Sequence, residues 1–530
     1  MSLIRKFASV ASGTMASRVF GFAREALIGA TLGAGPVADA FYAAFRFPNL
    51  FRRLFAEGAF NTAFIPLFAK ELEGGGIDGA RRFGEEVLSV LVVCLAVLSV
   101  AAIVFMPSLV GTIIAPKFAD TPDKFDLTVV LTRIMFPYLF CMSLVAMLSG
   151  ILNSMRRYFL AAAVPVLLNI ILIAVLVTAL VMGAEQRVVG LGLAWGVLVS
   201  GIAQLAILVW AAAREGYAMR LRRPRLSPSV KRLLVLMGPA LLTGGVTQIN
   251  LLVGQIIASA QDGAIALLNY ADRINQLPLG VIGIAVGVVL LPELSRALKA
   301  GDAADVQHLQ NRSLEFALAL TLPAAVGLAV MPAPIVGLLY QRGAFTAETT
   351  ALTAAALAAF AVGLPAFVLR KVFQPAFFAH EDMKTPMWFT GVEVVLNISF
   401  SLALFPVYGH VGIAAATSIA AWANVVLLVV TLWRRDLFRP SPATLRRVAL
   451  IVLASALMGG VVWWLQETFS SSLAGAPLLI RLVAVIGVIG AGAAVYFSVA
   501  IATGALDRRE LAGLVRRRRA RAPAAPTETD

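Results

Sequence analysis

Charge and cysteine are what this chain has least of. Only 14% of its 530 residues are Asp, Glu, Lys or Arg, against roughly 25% in an ordinary soluble domain. The two cysteines, Cys94 and Cys141, lie in apolar runs with no CxxC and no Cys/His ligand spacing, which points away from a disulfide framework, a zinc site or thiol redox chemistry. Three histidines, His308, His380 and His410, fall in short polar connections and read as solvated loop residues. There is no Walker A pattern and no nucleophile triad, so nothing in the sequence offers covalent chemistry. The alternating ten-residue segments of an outer-membrane barrel are missing as well.

What the chain has instead is apolar length. It is 60% hydrophobic with a mean hydropathy of +0.87, a balance expected of an all-α integral membrane protein. A ruler of about 20 apolar residues per crossing gives about fourteen spans: 7–33, 37–69, 84–114, 128–153, 158–183, 188–213, 230–260, 264–297, 312–339, 348–378, 385–407, 410–433, 446–467 and 478–504. Runs such as Leu167–Val181 and Val483–Ala502 contain β-branched residues, but they are too long for strands. Arg18 and Arg24 interrupt the first apolar stretch and no cleavage site follows, so it reads as an uncleaved helix and not a signal peptide.

The net charge is +15, and the placement of the cations sets orientation. The N-terminus, alternate loops and the C-terminal tail hold about 30 Lys and Arg, the remaining loops about four, namely Lys117, Lys124, Arg187 and Arg342. Both termini are therefore expected in the cytoplasm. The tail around Arg516–Arg519 fits a juxtamembrane polybasic segment beside anionic lipid, with no nucleic-acid partner. The expected organisation is an N-terminal lobe at 1–213, a basic linker at 214–232, a C-terminal lobe at 233–434, two further helices within 435–505 and a basic tail at 506–530. Pro48 and Pro66 in one half answer Pro278 and Pro292 in the other. Repeated halves with proline-interrupted helices point to a transport site between them.

About ten cations remain inside the spans: Arg18, Arg24, Arg46, Arg52, Arg53, Arg133, Arg273, Arg370, Lys371 and Arg481. At about 2.5–3.5 kcal/mol per basic residue near a helix centre, such residues must line a polar cavity or be paired. From the helical rise, Arg18 and Arg52 lie roughly 16 Å and 22 Å from the ends of their spans, near the midplane. Asp39, Arg46 and Arg53 share one helical stripe, and Glu57 at i+4 can neutralise Arg53. Asp39 and Arg46 read equally as a pair or as site residues. Arg18, Arg24, Arg52 and Arg273 lack an obvious local counter-charge, because Glu25 and Asp272 are adjacent in sequence and adjacent helical residues do not face each other. Surplus guanidinium in a cavity suits a phosphate-bearing substrate. Arg370, Lys371, Arg481 and Arg133 lie nearer helix ends, where they can snorkel. Glu393, near Asn397, has no evident basic partner and is a candidate for proton or sodium coupling.

The motifs carry a family resemblance. They are S-R-V-F-G-F-A-R-E from Ser17, A-D-A-F from Ala38, F-P-N-L-F-R-R-L-F-A-E-G-A-F from Phe47 and Y-A-D-R-I from Tyr270. Then follow L-P-L-G-V-I-G-I-A from Leu277, L-L-P-E-L-S-R from Leu290, Y-Q-R-G-A-F from Tyr340 and H-E-D-M-K-T-P from His380. Through about residue 505 the chain resembles the lipid II flippase family, MurJ or MviN, of the multidrug/oligosaccharidyl-lipid/polysaccharide exporter superfamily. The resemblance implies two six-helix lobes around a central cavity and two C-terminal helices with a groove for the lipid tail. It implies transport by alternating access of lipid II, the undecaprenyl-diphosphate-linked disaccharide pentapeptide, from the cytoplasmic to the periplasmic leaflet of the bacterial inner membrane for peptidoglycan synthesis. On that resemblance the substrate-binding residues are Arg18, Arg24, Arg52, Arg273 and Asp39; Glu25, Arg46, Asn49, Arg53, Glu57, Asp272 and Gln276 are candidate supporting residues of the cavity.

Gln276 stands where some members of the family have glutamate, so a proton-carrier role for that acid does not transfer. A sodium site known in some members does not map cleanly onto the seventh and eleventh spans. No cofactor or enzymatic step is expected, and the driving force stays open among sodium, proton and membrane potential. Expected partners are lipid II and membrane lipids, with cell-wall synthesis or division proteins as the class of any protein partner. The rival readings are an O-antigen or exopolysaccharide flippase, a cation-coupled multidrug exporter, and a membrane scaffold that transports nothing.

Overall fold

A backbone in hydrocarbon has no water to bond, so each crossing must satisfy its own N–H and C=O groups, which an α-helix does. The computed structural model of the chain describes residues 3–54, 60–155, 157–301, 303–474 and 476–506, and no strand occurs among them. The helices run in order as α1 (Leu3–Leu32), α2 (Pro36–Arg52), α3 (Phe60–Val104), α4 (Met106–Leu109), α5 (Pro122–Met135) and α6 (Tyr138–Ser154). They continue as α7 (Tyr158–Ala163), α8 (Val166–Met182), α9 (Gln186–Arg214), α10 (Pro228–Ala258), α11 (Ala264–Lys299), α12 (Ala303–Val330) and α13 (Pro332–Tyr340). The last are α14 (Ala347–Ala379), α15 (Lys384–Tyr408), α16 (His410–Arg434), α17 (Pro442–Thr468), α18 (Ser470–Ala474) and α19 (Leu478–Ala502). At 45 residues α3 is too long for one crossing, and it breaks at Gly76, where φ is +63°. The connection expected at 70–83 is thus largely helical.

Among the described residues, ten helices are long and apolar enough to cross a membrane. The two parts of α10, Pro228–Pro239 and Gly244–Ala258, bent by 55° after Pro239, make an eleventh span if they cross together. A count of fourteen is compatible with this, since α1, α2 and α11, which carry Arg18, Arg24, Arg46, Arg52 and Arg273, fall outside the ten. Large apolar side chains such as Val181, Trp195, Trp388 and Trp463 face outward. Such surfaces suit lipid contact and not water.

The chain forms two compact units. The first comprises Met1–Arg273, Leu339–Ala356 and Val394–Ala416; the second comprises Ile274–Leu338, Leu357–Glu393 and Thr417–Asp530. In the first, α9 approaches its neighbours through glycines. A Cβ on Gly196 would lie 2.8 Å from Leu172, and one on Gly201 would lie 2.8 Å from Tyr138, the close packing that small residues permit between membrane helices. Part of the basic connection after α9 is bound down onto α3: the Arg220 N–H donates to Glu85 at 3.1 Å, the Arg222 N–H to Ser89 at 2.8 Å, and Arg81 to the Ala218 carbonyl at 2.6 Å. The second unit has two apolar clusters, one around Phe373, Phe377 and Phe438, the other joining α12, α17 and α19 through Met458, Val462 and Tyr496. The Tyr496 hydroxyl satisfies itself on the Ala319 carbonyl at 2.6 Å.

The C-terminal end of α1 is held by a crossing of backbones within the first unit. The Ala344 N–H donates to the Ala30 carbonyl at 2.8 Å, and the Tyr270 hydroxyl to the Gly33 carbonyl at 2.7 Å. Gly33 and Gly343 have φ of +59° and +55°, and a Cβ on either would lie 2.4 Å or 2.3 Å from a carbonyl oxygen of the opposing strand of chain. Neither position has room for a side chain. Gly343→Ala is expected to lose at least about 1–2 kcal/mol from the left-handed backbone alone, with the clash adding to it. A melting curve in detergent would read this as a lower Tm, and an unchanged Tm would contradict the close approach.

Candidate functional site

The arginines that the sequence isolates do not all meet. Arg24 and Arg273 do, on a single carboxylate, Glu25, which is 1% exposed. One oxygen of Glu25 takes a close contact from Arg24 and another from Arg273 at 3.3 Å. The other accepts the Tyr42 hydroxyl at 2.7 Å and the Asn269 amide at 3.4 Å. Arg24 reaches further, donating at 3.0 Å to Asn169 on α8, whose own amide donates to the Ser17 carbonyl at 3.1 Å. Three helices, α1, α2 and α11, thus place side chains on one acid, and a fourth, α8, joins the network through Arg24. This corrects the expectation that Arg24 and Glu25, being adjacent, do not engage: in a buried setting the long guanidinium arm swings back across the helix to the one available anion. Asp272 and Arg53 act electrostatically on Arg46, and Asp272 also acts on Arg273. With Arg46 and Asp272 counted, three guanidiniums face two carboxylates, and the cluster stays net positive.

The remaining positions are spread along the helices. Arg18 is exposed on α1, six residues before Arg24, or roughly 9 Å along the axis. Arg52 is half-buried at the end of α2, with its Nε donating to Asn49 at 2.8 Å. Arg53 is exposed, Arg46 and Asp272 are half-buried, and Gln276 is exposed on α11. Glu57, expected to neutralise Arg53, lies outside the described residues.

Asp39 belongs to a second network. Its carboxylate is fully buried and accepts from Lys124 at 2.8 Å and from the backbone N–H groups of Gly263 and Ala266 at 2.7 and 3.0 Å. A side chain on α2 therefore caps the start of α11, satisfying donors that a helix N-terminus leaves open. Lys124 also bonds Asp262 at 3.0 Å and lies 4.1 Å from the centre of the Phe118 ring. The direct ionic partner of Asp39 is thus Lys124, expected only as one of the few cations in the loops opposite the basic side. The pairing joins segments 85 residues apart, beyond the reach of helical periodicity. Between the two networks lies an aromatic layer, in which Tyr270 meets Tyr42 edge-on at 5.6 Å and packs on Tyr340 and Phe345 at 5.2 Å each.

Two further expectations change. Glu393 does have a basic partner, because Arg370 donates to both its oxygens at 3.0 and 3.1 Å and Asn424 adds a bond at 2.7 Å. Arg370 serves as the internal counter-charge of Glu393, a pairing hidden by 23 residues of separation. His410 is 3% exposed and not solvated: its Nε2 bonds the Leu352 carbonyl at 2.9 Å, and its Nδ1 lies 3.2 Å from Gln261. Among the described residues no group of three or more His, Cys, Asp or Glu could hold a metal ion. Sequence reasoning missed Lys124, Tyr42, Asn269 and Asn169. Only Asn169 carried a signal, as a lone amide in the apolar run V-L-L-N-I-I-L, where polar groups are retained for a partner.

A family model described as "Lipid II flippase MurJ" matches residues 28–484. A "Probable lipid II flippase MurJ" of Rhizobium tropici is 52% identical over 527 residues, covering 99% of this chain and 98% of that protein. Another of the same description, from Rhizobium meliloti (strain 1021), is 55% identical over 510 residues, covering 95% and 94%. A solved structure, "Lipid II flippase MurJ, inward closed conformation", superposes with a TM-score of 0.75 at 24% identity, covering 92% of this chain and 98% of that one; at that identity it speaks for the fold.

The shared carboxylate makes a direct energetic prediction. Breaking a buried pair costs about 3–5 kcal/mol because the other charge is stranded, so Glu25→Gln should destabilise the protein strongly in detergent. A cycle with Arg24→Gln should give a coupling of about 1 kcal/mol or more; additivity would disprove the pairing. Lys124→Met should likewise destabilise by stranding Asp39, and Asp39→Asn added to it should recover part of the loss.

Proposed function

Because this chain belongs to the lipid II flippase MurJ family, we propose that it carries lipid II across the bacterial inner membrane from the cytoplasmic to the periplasmic leaflet. The observation that carries the reading at the level of the site is the net positive cluster of Arg24, Arg273 and Glu25, in which Arg273 keeps 38% of its side chain accessible. A planar guanidinium held by one carboxylate is pre-oriented for phosphate oxygens. The diphosphate and sugars of the substrate cannot cross hydrocarbon unaided, since they would have to shed water without replacement partners. In this reading Arg18, Arg24, Arg52 and Arg273 replace phosphate hydration, while the polyprenyl tail stays in lipid.

The transport cycle would be alternating access between two six-helix lobes joined by the linker at 214–232, with both termini cytoplasmic and the tail groove formed by the helices of 435–505. Asp39 would serve the substrate path by holding the start of α11. No bond of the substrate changes, so the protein acts as a transporter and not as an enzyme. Cell-wall synthesis or division proteins would be its protein partners. A cation exporter would need uncommitted acids to hold its substrate, whereas Glu25 and Asp39 are each engaged by cations. An O-antigen or exopolysaccharide flippase shares the diphosphate chemistry and is separated by the glycan carried.

The test is depletion of the protein in its host followed by a leaflet-resolved assay of lipid II. Wild type should restore outward lipid II, whereas Arg18→Ala, Arg52→Ala and Arg273→Ala should insert normally yet lower flipping about tenfold or more, the scale of one lost charge-assisted hydrogen bond. Normal flipping by these variants would refute the site, and lipid II reaching the outer leaflet with no flippase present would refute the function. A scaffold would tolerate Arg52→Lys without effect.

A further inference from the structure

The second unit holds a polar pocket of about 530 Å³ that the transport reading does not use. It lies between the start of α12 and the segment leading into α17, and its lining includes Arg312, Arg439 and Arg447 with the carboxylate of Glu315, while a second carboxylate, Asp436, pairs with Arg439 from beside the pocket. Glu315 is anchored from both sides, accepting the Thr444 hydroxyl at 2.6 Å and Arg447 at 2.8 Å. The rim is fixed by amide side chains: Asn311 accepts the Ser441 N–H at 3.0 Å and donates to the Arg439 carbonyl at 3.2 Å, while Gln307 accepts the Arg439 N–H at 3.0 Å. The Arg439 side chain is steered by Asp436 and remains 69% exposed.

Depth identifies the ligand class. Beyond Glu315, α12 runs from Phe316 to Val330 without a charge, and beyond Arg447, α17 runs from Val448 to Gln466 without one. Both helices therefore leave the hydrocarbon at the level of this pocket, which is where phospholipid phosphates lie. We propose that the pocket binds the phosphodiester headgroup of an anionic membrane phospholipid, with the guanidiniums of Arg312 and Arg439 on its oxygens. Basic pockets between membrane helices at the interface recognise such headgroups, and the arginine fork fits phosphate oxygens in bidentate fashion. Arg447 serves chiefly as the counter-charge of Glu315.

The full-length protein in neutral detergent would be titrated with dioctanoyl phosphatidylglycerol, dioctanoyl phosphatidylcholine and sodium phosphate, with binding read by native mass spectrometry and by Tm. Wild type should prefer phosphatidylglycerol over phosphatidylcholine. Arg312→Gln with Arg439→Gln should reduce that preference about tenfold, whereas Arg223→Gln with Arg225→Gln, on the exposed basic linker, should not. If the glutamine pair fails to fold, Arg312→Lys with Arg439→Lys keeps the charge and should weaken binding by a smaller factor. No preference in wild type, or an equal loss in the linker variant, overturns the pocket assignment. Inorganic phosphate binding as tightly as phosphatidylglycerol overturns the lipid as its source. Because no flipping is measured, failure here leaves the transport reading untouched.

Discussion

An anion buried in a membrane helix must find a cation, because a carboxylate stranded in low dielectric is worth far more than the stability of a single helix contact. Several buried or partly buried acids in this protein obey that constraint. Glu25 holds Arg24 and Arg273, Asp39 holds Lys124, Glu85 holds Arg222 and Arg81, Glu315 holds Arg447, and Glu393 holds Arg370. Glu25, shared by two arginines, leaves positive charge over. The same pairing that holds α11 beside α1 also leaves guanidinium available to an anionic ligand.

The ends of the helices are governed by the related demand that backbone groups be satisfied. Asp39 closes the N–H groups at the start of α11, and Tyr270 closes the carbonyl of Gly33. Gly33 and Gly343 allow two backbones to meet at hydrogen-bond distance where any side chain would collide. Charge at Glu25 and Asp39, and shape at these glycines, therefore act on the same ends of α1, α2 and α11 within the first unit.

The fold was legible because its cause is local. Long apolar runs, interrupted only where charge or proline enters, mark the helices, and the expected span at 410–433 coincides with α16 to within a residue. Within the connection expected at 70–83 the break itself was legible and falls at Gly76, where φ is +63°; that the chain stays helical on either side of it was not, since a glycine-rich stretch carries no signal of where the turn is made. At the site, Arg24, Arg273 and Asp39 stood out as charges where charge is expensive. Their partners did not, because Lys124 looks like any loop lysine and Asn269 like any polar residue near a helix start.

The sequence by itself determined that the chain is an α-helical membrane protein, which segments are long and apolar enough to cross, and which residues are too polar to face lipid. All three follow from transfer free energy, which is summed along the chain. Only the tertiary structure decided who pairs with whom: Glu25 with two arginines, Asp39 with Lys124 and the α11 backbone, Glu393 with Arg370. Apart from the neighbouring Arg24 and Glu25, such pairing depends on distance in space between segments tens to hundreds of residues apart, and periodicity carries no information about that distance.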